Sequence, residues 1–304
     1  MFDVVTVGHL SIDSIFLPGR HAAAIVLGGS VAYASLAARR LEARVGVISK
    51  VGGDFPEAYR WWFEQEHIGL SGVMKIEEAE TTRFELKYSD DLSSRVLFLR
   101  NRAPPITVDD LPVSLEASAI HLAPIDGEIG YDVAEAAKKS TEVLSLDPQG
   151  LVRDFAPDGS VNSCSLADKR ILGLVDIYKS SSDEIKSVTD LSDLDEAIRG
   201  VHDCGVKIVI VTLGSAGVLV SGENDSHRVP ACTPTKLVDP TGAGDVFMGG
   251  FLEEYVNGSS ILRCACVGSA AASFAVEGVG PTALAEKVQV YERARALYEK
   301  EIKE

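Results

Sequence analysis

Positive charge is scarce in this chain: 29 lysines and arginines stand against 45 aspartates and glutamates, a formal net charge of −16 over 304 residues. Nucleic acids and anionic membranes select basic surfaces, so neither is expected as a partner. Any anionic ligand must be attracted locally. Cysteine is sparse as well. The five cysteines, at positions 164, 204, 232, 264 and 266, are odd in number and form no Cys-x-x-Cys pair, which removes the usual signature of a zinc site. Cys264-Ala265-Cys266 falls in an apolar helical run and reads as core. The histidines, at 9, 21, 67, 121, 202 and 227, lack metal-ligand spacing. There is no Walker lysine loop and no Gly-x-Ser-x-Gly elbow, so P-loop and serine-hydrolase chemistry find no support. No run is long enough to span a bilayer, and the chain opens at once on Asp3-Val4-Val5-Thr6-Val7 with no basic lead or cleavage site. A cytoplasmic location is the expectation.

What is present is ordinary for a globular protein, with 46% hydrophobic and 24% charged residues, and the length suits one large domain spanning 1–304. Short runs rich in Val, Ile and Leu at 4–7, 45–48, 119–122, 143–146, 172–177 and 208–213 read as strands. Between them, 31–41, 56–67, 129–138 and 194–201 read as helices. That alternation predicts an α/β fold, a mostly parallel central sheet flanked by helices on both faces, with ligands collecting at the carboxyl ends of the strands. One insertion around 74–102 breaks the rhythm. Phe84, Leu86 and Tyr88 alternate with Arg83, Glu85 and Lys87, a turn follows at Ser89-Asp90-Asp91, and 95–100 returns as the second arm of a hairpin. Val96-Leu97-Phe98-Leu99 is apolar on both faces and calls for cover, by the rest of the chain or by a second copy. Residues 284–304 read as a charged, solvated outer helix.

The most specific stretch is Asp239-Pro240-Thr241-Gly242-Ala243-Gly244-Asp245, followed by Val246, Phe247, Met248, Phe251, Leu252 and Tyr255 at helical spacing. The glycines therefore sit at a helix N-terminus, where free amides and the helix dipole favour an anion. Such an arrangement builds an anion hole without any lysine. Asp245 in the first turn can take a proton from an attacking hydroxyl while Gly242, Ala243 and Gly244 stabilise the transferring charge. The plain alternative is an Asp-capped helix after a turn, but seven consecutive residues are far more specific than Gly-x-Gly-Asp.

The signature resembles that of the ribokinase-like, or PfkB, carbohydrate kinases, and further motifs follow in the family's order. These are Gly8-His9-Leu10-Ser11-Ile12-Asp13, the pair Gly28-Gly29 opening a helix, and the turn Val211-Thr212-Leu213-Gly214-Ser215-Ala216-Gly217. The resemblance implies an ATP- and Mg2+-dependent kinase acting on a hydroxyl of a small sugar or polyol. It makes Asp245 the base, with Asp13, Gly28, Gly29 and the lid residue Arg83 holding the acceptor. Ser181, Thr212, Gly214, Gly217, Gly242 and Gly244 would line the nucleotide. Ser180-Ser181-Ser182-Asp183-Glu184 stands where the family shows Asn-x-x-Glu, which makes Glu184 a magnesium residue; a helix cap is the competing reading. The hairpin becomes a β-lid, and in several members the lid also forms a homodimer. Thr81 to Leu86 and Arg102 to Ile106 look similar to archaeal members acting on inositol-like polyols. Against that, Tyr33 stands near the family's sugar-contacting Asn. A nucleoside kinase is the alternative; a non-catalytic sugar sensor is disfavoured because Asp245 and the glycines are intact.

Overall fold

The computed structural model describes residues 1–222 and 225–301. The first half contains β1 (Phe2–Val7), β2 (Ser11–Phe16), β3 (Ala24–Gly28), α1 (Ser30–Arg40), β4 (Val45–Gly52), α2 (Glu57–Gln65), β5 (Gly69–Ile76), β6 (Thr82–Tyr88) and β7 (Arg95–Asn101). It continues through β8 (Ala117–Leu122), α3 (Tyr131–Lys138), β9 (Thr141–Leu146), β10 (Arg153–Phe155), β11 (Val161–Ser163), β12 (Ile177–Ser181) and α4 (Ser182–Thr189). The last part holds α5 (Leu194–His202), β13 (Ile208–Thr212), β14 (Val218–Ser221), β15 (Ser226–Val229), α6 (Ala243–Val256), α7 (Ile261–Ala275) and α8 (Lys287–Glu301).

Nine strands form the main sheet in the order β15-β14-β13-β12-β9-β8-β1-β4-β5. From β13 to β5 every pairing is parallel. The chain runs outward from β1 to β5 and then returns to β8 on the other side of β1, so the strand order reverses between β1 and β8. A crevice opens at the carboxyl ends there. Helices α3, α4 and α5 cover one face through Val133, Ile185 and Val201, while α1, α6 and α7 cover the other. Helix α6 is apolar nearly all round because it is buried between α1 and α7. Phe247, Phe251 and Tyr255 stack along it one turn apart, with ring centroids 5.9 and 6.1 Å apart.

Four strands form the second sheet, in the order β3-β2-β6-β7. The hairpin expected within 74–102 is thus joined by two strands from residues 11–28, with β2 running parallel to β6. Ser11-Ile12-Asp13-Ser14-Ile15 alternates as a strand does, but its Ser and Asp content reads as a turn. A second departure lies at 172–177, where residues up to Leu174 form a 3-10 turn and the strand begins only at Ile177. Apolar periodicity alone could not separate those two outcomes. The C-terminal helix covers Lys287–Glu301; residues 302–304 of the expected span lie outside the described residues. Among the described residues no helix is long and apolar enough to cross a membrane.

The small sheet is tied to the core at His9. Its Nε2 lies 3.0 Å from the Pro104 carbonyl, which can only accept, and its Nδ1 lies 3.0 Å from Thr82 Oγ1 and 3.5 Å from Asp126. The His9 amide donates to Glu128, and Arg102 stands 3.3 Å from Asp126. Burial works against a charge on His9, but Glu128 and Asp126 outweigh it and raise its pKa above the ordinary histidine value. His9, Asp126 and Glu128 lie close enough to suggest a metal cage. His9 and Arg102 already stand against Asp126, however, burial pushes the Glu128 carboxyl up to about 7, and Glu128 is occupied by the amides of His9, Ile125 and Asp126. The cluster is a polar hinge joining the chain segments that cross between the sheets. His9→Ala strands Asp126 in the interior, and breaking a buried pair in this way costs about 3–5 kcal/mol. The expected result is a lower urea midpoint, with proteolytic cuts appearing first in residues 82–101; an unchanged midpoint would contradict the hinge.

Candidate active site

The seven-residue motif folds as its composition demands. Gly242 caps α6 in the left-handed region at φ 76°, and a Cβ there would lie 2.2 Å from the Tyr33 ring, so only glycine fits. Asp239 holds the loop by accepting from the Thr241 amide at 2.9 Å and the Gly280 amide at 3.2 Å. Ala243, Gly244 and Asp245 then form the first turn; the Ala243 amide donates to the Pro240 carbonyl at 3.4 Å, and the helix start leaves the next amides without an intrahelical acceptor.

A lysine stands beside this anion hole, contrary to the sequence expectation. Lys179, on β12, is buried, and its Nζ pairs with Asp147 Oδ2 at 2.5 Å. The same Nζ is 2.7 Å from where a Cβ on Gly244 would lie. Burial opposes its charge, yet Asp147, Asp245 and Glu184 together hold its pKa above the usual lysine value. Asp245 is walled in by protein but keeps an open face to a cavity. Burial pushes its carboxyl up to about 6; Lys179 opposes the rise and Asp147 adds to it. Gln149, just beyond β9, reaches both Asp245 Oδ1 at 3.3 Å and Ser30 Oγ at 2.6 Å, and Arg153 Nη2 donates to Gln149 Oε1 at 2.7 Å.

The cavity beside Asp245 is small and partly open, lined by the small sheet on one side and by α1, α6 and the 149–153 segment on the other. Asp13 lines it from the middle of β2 rather than from a turn. Its register partner across β3 is Val26, and a Cβ on Gly28 would meet its Oδ2 at 2.1 Å, so Gly28 is the space Asp13 occupies. Burial pushes the Asp13 carboxyl up to about 6, against a 2.7 Å bond from Ser11 Oγ and the charges of Arg95 and Arg153. Gly29 caps α1 and also borders the cavity.

Strand alternation decides the lid. Phe84 and Leu86 face the cavity, so Arg83 and Glu85 cannot. Arg83 is paired with Asp54 at 2.6 Å and does not reach the acceptor space, which corrects the expectation for it. The lid arginine in the cavity is Arg95, held by Tyr88, whose hydroxyl in turn meets Thr241 Oγ1 at 2.8 Å.

The expected nucleotide residues gather at the ends of β12 and β13. Ser181 and Thr212 are register partners, and Thr212 bonds back to Ser180. Ser181 and Glu184 form a reciprocal capping box on α4, so the cap reading is realised. That box uses Glu184 Oε2 on the Ser181 amide and leaves Oε1 without a hydrogen bond among the described residues. Gly214 opens a 3-10 turn facing free space. Gly217 packs against the Val229 carbonyl, so its glycine serves the β14–β15 hairpin.

A doubly covered sheet with a carboxylate in the first turn of a helix and a small sheet lying over it defines a phosphotransferase of the ribokinase fold. Comparison with known proteins agrees: the pfkB family carbohydrate kinases match over residues 1–288, and the chain belongs to that family. It is 30% identical to a cytidine kinase of Thermococcus kodakarensis over 276 residues, covering 88% of this chain and 94% of that one. It is equally 30% identical to an inositol 3-kinase of Arabidopsis thaliana over 286 residues, 91% and 74% of the two chains. Among solved structures, a pyrophosphate-dependent kinase in the ribokinase family, in a sulfate complex, superposes with a TM-score of 0.81 at 25% identity, covering 95% and 99% of the two chains.

Removing the Lys179 charge tests the electrostatics directly. Lys179→Met takes away the largest influence holding the Asp245 carboxyl down, so its titration, followed by carboxyl-carbon NMR, should move upward from about 6. A midpoint that stays put or falls would show that Lys179 does not act on Asp245.

Proposed function

We propose that this kinase transfers the terminal phosphoryl group of ATP to a hydroxyl of a small cyclic polyol or sugar. The carrying observation is the cavity wall. Ser11, Asp13, Tyr33, Arg95, Gln149, Arg153 and Asp245 bring polar groups from separate elements around one small space, as a molecule with hydroxyls all round requires. Phe84, Leu86 and Leu97 offer an apolar patch for one C–H face of the ring.

In this reading Asp13 accepts hydrogen bonds from two neighbouring hydroxyls and orients the ring. Asp245 takes the proton of the reacting hydroxyl as its oxygen bonds to the terminal phosphorus, and the phosphorus–oxygen bond to the leaving diphosphate breaks. The amides of Gly242, Ala243 and Gly244, with the ammonium of Lys179, hold the negative charge of the transferring group. Ser181, Thr212, Gly214 and Gly217 border the donor side. Glu184 fits a magnesium role through Oε1 and intervening water, and the ion when bound would neutralise charge on the donor phosphates. A nucleoside acceptor is the second reading, favoured by Phe84 facing the cavity, where a base could stack.

The outer face of the small sheet supports a homodimer. Phe16, Ile25 and Val96 are 39%, 59% and 55% exposed there, on the side away from the cavity.

Asp245→Asn should lower turnover by about 10²- to 10⁴-fold, with the melting temperature retained; near-normal turnover would remove the base. Asp13 and Asp245 both act as carboxylates and both titrate at about 6, so kcat/KM should fall as pH drops through about 6 and level off above it. A flat profile between pH 5 and 8 would contradict these roles. Measured side by side, myo-inositol or a related sugar should give higher kcat/KM than cytidine, adenosine or guanosine; the reverse order installs the nucleoside reading.

A further inference from the structure

Tyr88 ends β6 and its register partner Arg95 begins β7, so the two form the last pair of the hairpin before its turn. By alternation they share the face of the small sheet that carries Phe84, Leu86 and Leu97, the face turned to the cavity. Arg95 stacks on its partner, with the guanidinium carbon 5.9 Å from the Tyr88 ring centroid, and its Nη1 donates to the Tyr88 hydroxyl at 3.0 Å. The same oxygen meets Thr241 Oγ1 at 2.8 Å. Thr241 directly precedes Gly242, and among the described residues this is the one hydrogen bond that joins β6 or β7 to the loop Asp239–Asp245. Tyr88 therefore bridges Arg95 and Thr241, which line the cavity from opposite walls.

An arginine beside a hairpin turn is free to swing into solvent unless something holds it. Here a phenol holds it rather than a carboxylate, so its charge is not cancelled by its partner. That charge acts on both carboxylates of the cavity. Burial pushes Asp13 up against Ser11, Arg95 and Arg153, and pushes Asp245 up, with Asp147, against Lys179, Ser30 and Arg95.

We propose that Tyr88 is a positioning residue for phosphoryl transfer: one hydroxyl latches the small sheet to the anion-hole loop and holds Arg95 toward Asp13 and Asp245, so that the guanidinium is in place only when the sheet is shut. The inference rests on the roles given to Asp13 and Asp245 above and holds for any acceptor they serve. A phenol can do both, because its oxygen accepts from the arginine while it shares a proton with the threonine hydroxyl. Opening the sheet breaks the bond to Thr241 and withdraws Arg95. The carboxylate form of Asp245 is thereby favoured in the closed site, where the acceptor proton must be taken.

Hydrogen exchange and steady-state kinetics of the full-length protein carrying Tyr88→Phe, Thr241→Val or both test this. Without any ligand, each single variant should speed amide exchange across residues 82–101 by roughly threefold to tenfold, the worth of one hydrogen bond, and leave the exchange of α6 and α7 unchanged. The lower pH midpoint of kcat/KM should rise by about half a unit in Tyr88→Phe, as Asp13 and Asp245 lose part of the Arg95 charge while Lys179 and Arg153 remain. The double variant should do no more than either single one. Unchanged exchange across 82–101 would overturn the latch whatever the acceptor, and so would additive effects of the two substitutions. Faster exchange with an unmoved pH midpoint would overturn the tie to Arg95. An unsubstituted protein that turns over no acceptor would remove the reading above, and the exchange comparison would still decide the latch.

Discussion

The buried pair of Lys179 and Asp147 is the interaction on which the site depends. In the proposed reading, a chain with a net charge of −16 repels an anionic donor at long range, so attraction has to be concentrated at the site itself. Burying an ammonium is expensive unless it is paired, and pairing it fully would cancel its field. The structure resolves this by geometry. Asp147 follows β9 and Lys179 lies on the adjacent β12, so the pair is anchored by the main sheet, while the ammonium's other side meets Gly244 at the start of α6. One charge thereby supports the anion hole and restrains the rise in the Asp245 pKa. Arg95 and Arg153 add positive charge from the lid and the 149–153 segment.

The helix terminus gains its precision from packing as well as from the Asp239 hydrogen bonds of the loop before it. Helix α6 is fixed between α1 and α7, its aromatic stack runs down its length, and Tyr33 braces its first residue from α1. The lid is held differently, through polar contacts at His9 and through a short bridge between Phe98 on β7 and Ser160 beside β11. Rigid apolar packing thus supports the start of α6, and a polar hinge supports the small sheet.

Where the chemistry is carried by neighbours in sequence, it was legible. Asp239 to Asp245 is one loop and one helix turn, and its backbone function follows from glycine content and the apolar run behind it. The parallel sheet was legible for the same reason. Arg95, Gln149, Arg153 and Lys179 were not, because nothing local distinguishes them; they meet only when strand ends from distant parts of the chain are aligned. Lys179 did leave a trace, a lysine inside the buried strand Ile177–Ser181. Arg83 was misplaced because a hairpin read without its register does not reveal which face is covered, and a shift of one residue exchanges Arg83 for Phe84. Asp13 was singled out by motif, but the strand it occupies is recognisable only through its pairing with β3 and β6.

The division of labour explains how one fold serves acceptors as unlike as an inositol and a cytidine among its relatives. In the proposed reading, transfer chemistry belongs to the backbone amides at the start of α6 and to side chains anchored on the main sheet, where a substitution disturbs a buried charge balance. The acceptor contacts proposed here belong to β2, β6, β7 and the first turns of α1. On those lid strands every second residue faces the cavity, so substitutions there leave the core untouched. Tyr33 is the exception, since its ring packs directly beneath Gly242. Exchange at that position disturbs the left-handed start of α6 unless the new side chain restores the support beneath Gly242, which makes position 33 more constrained than any lid residue.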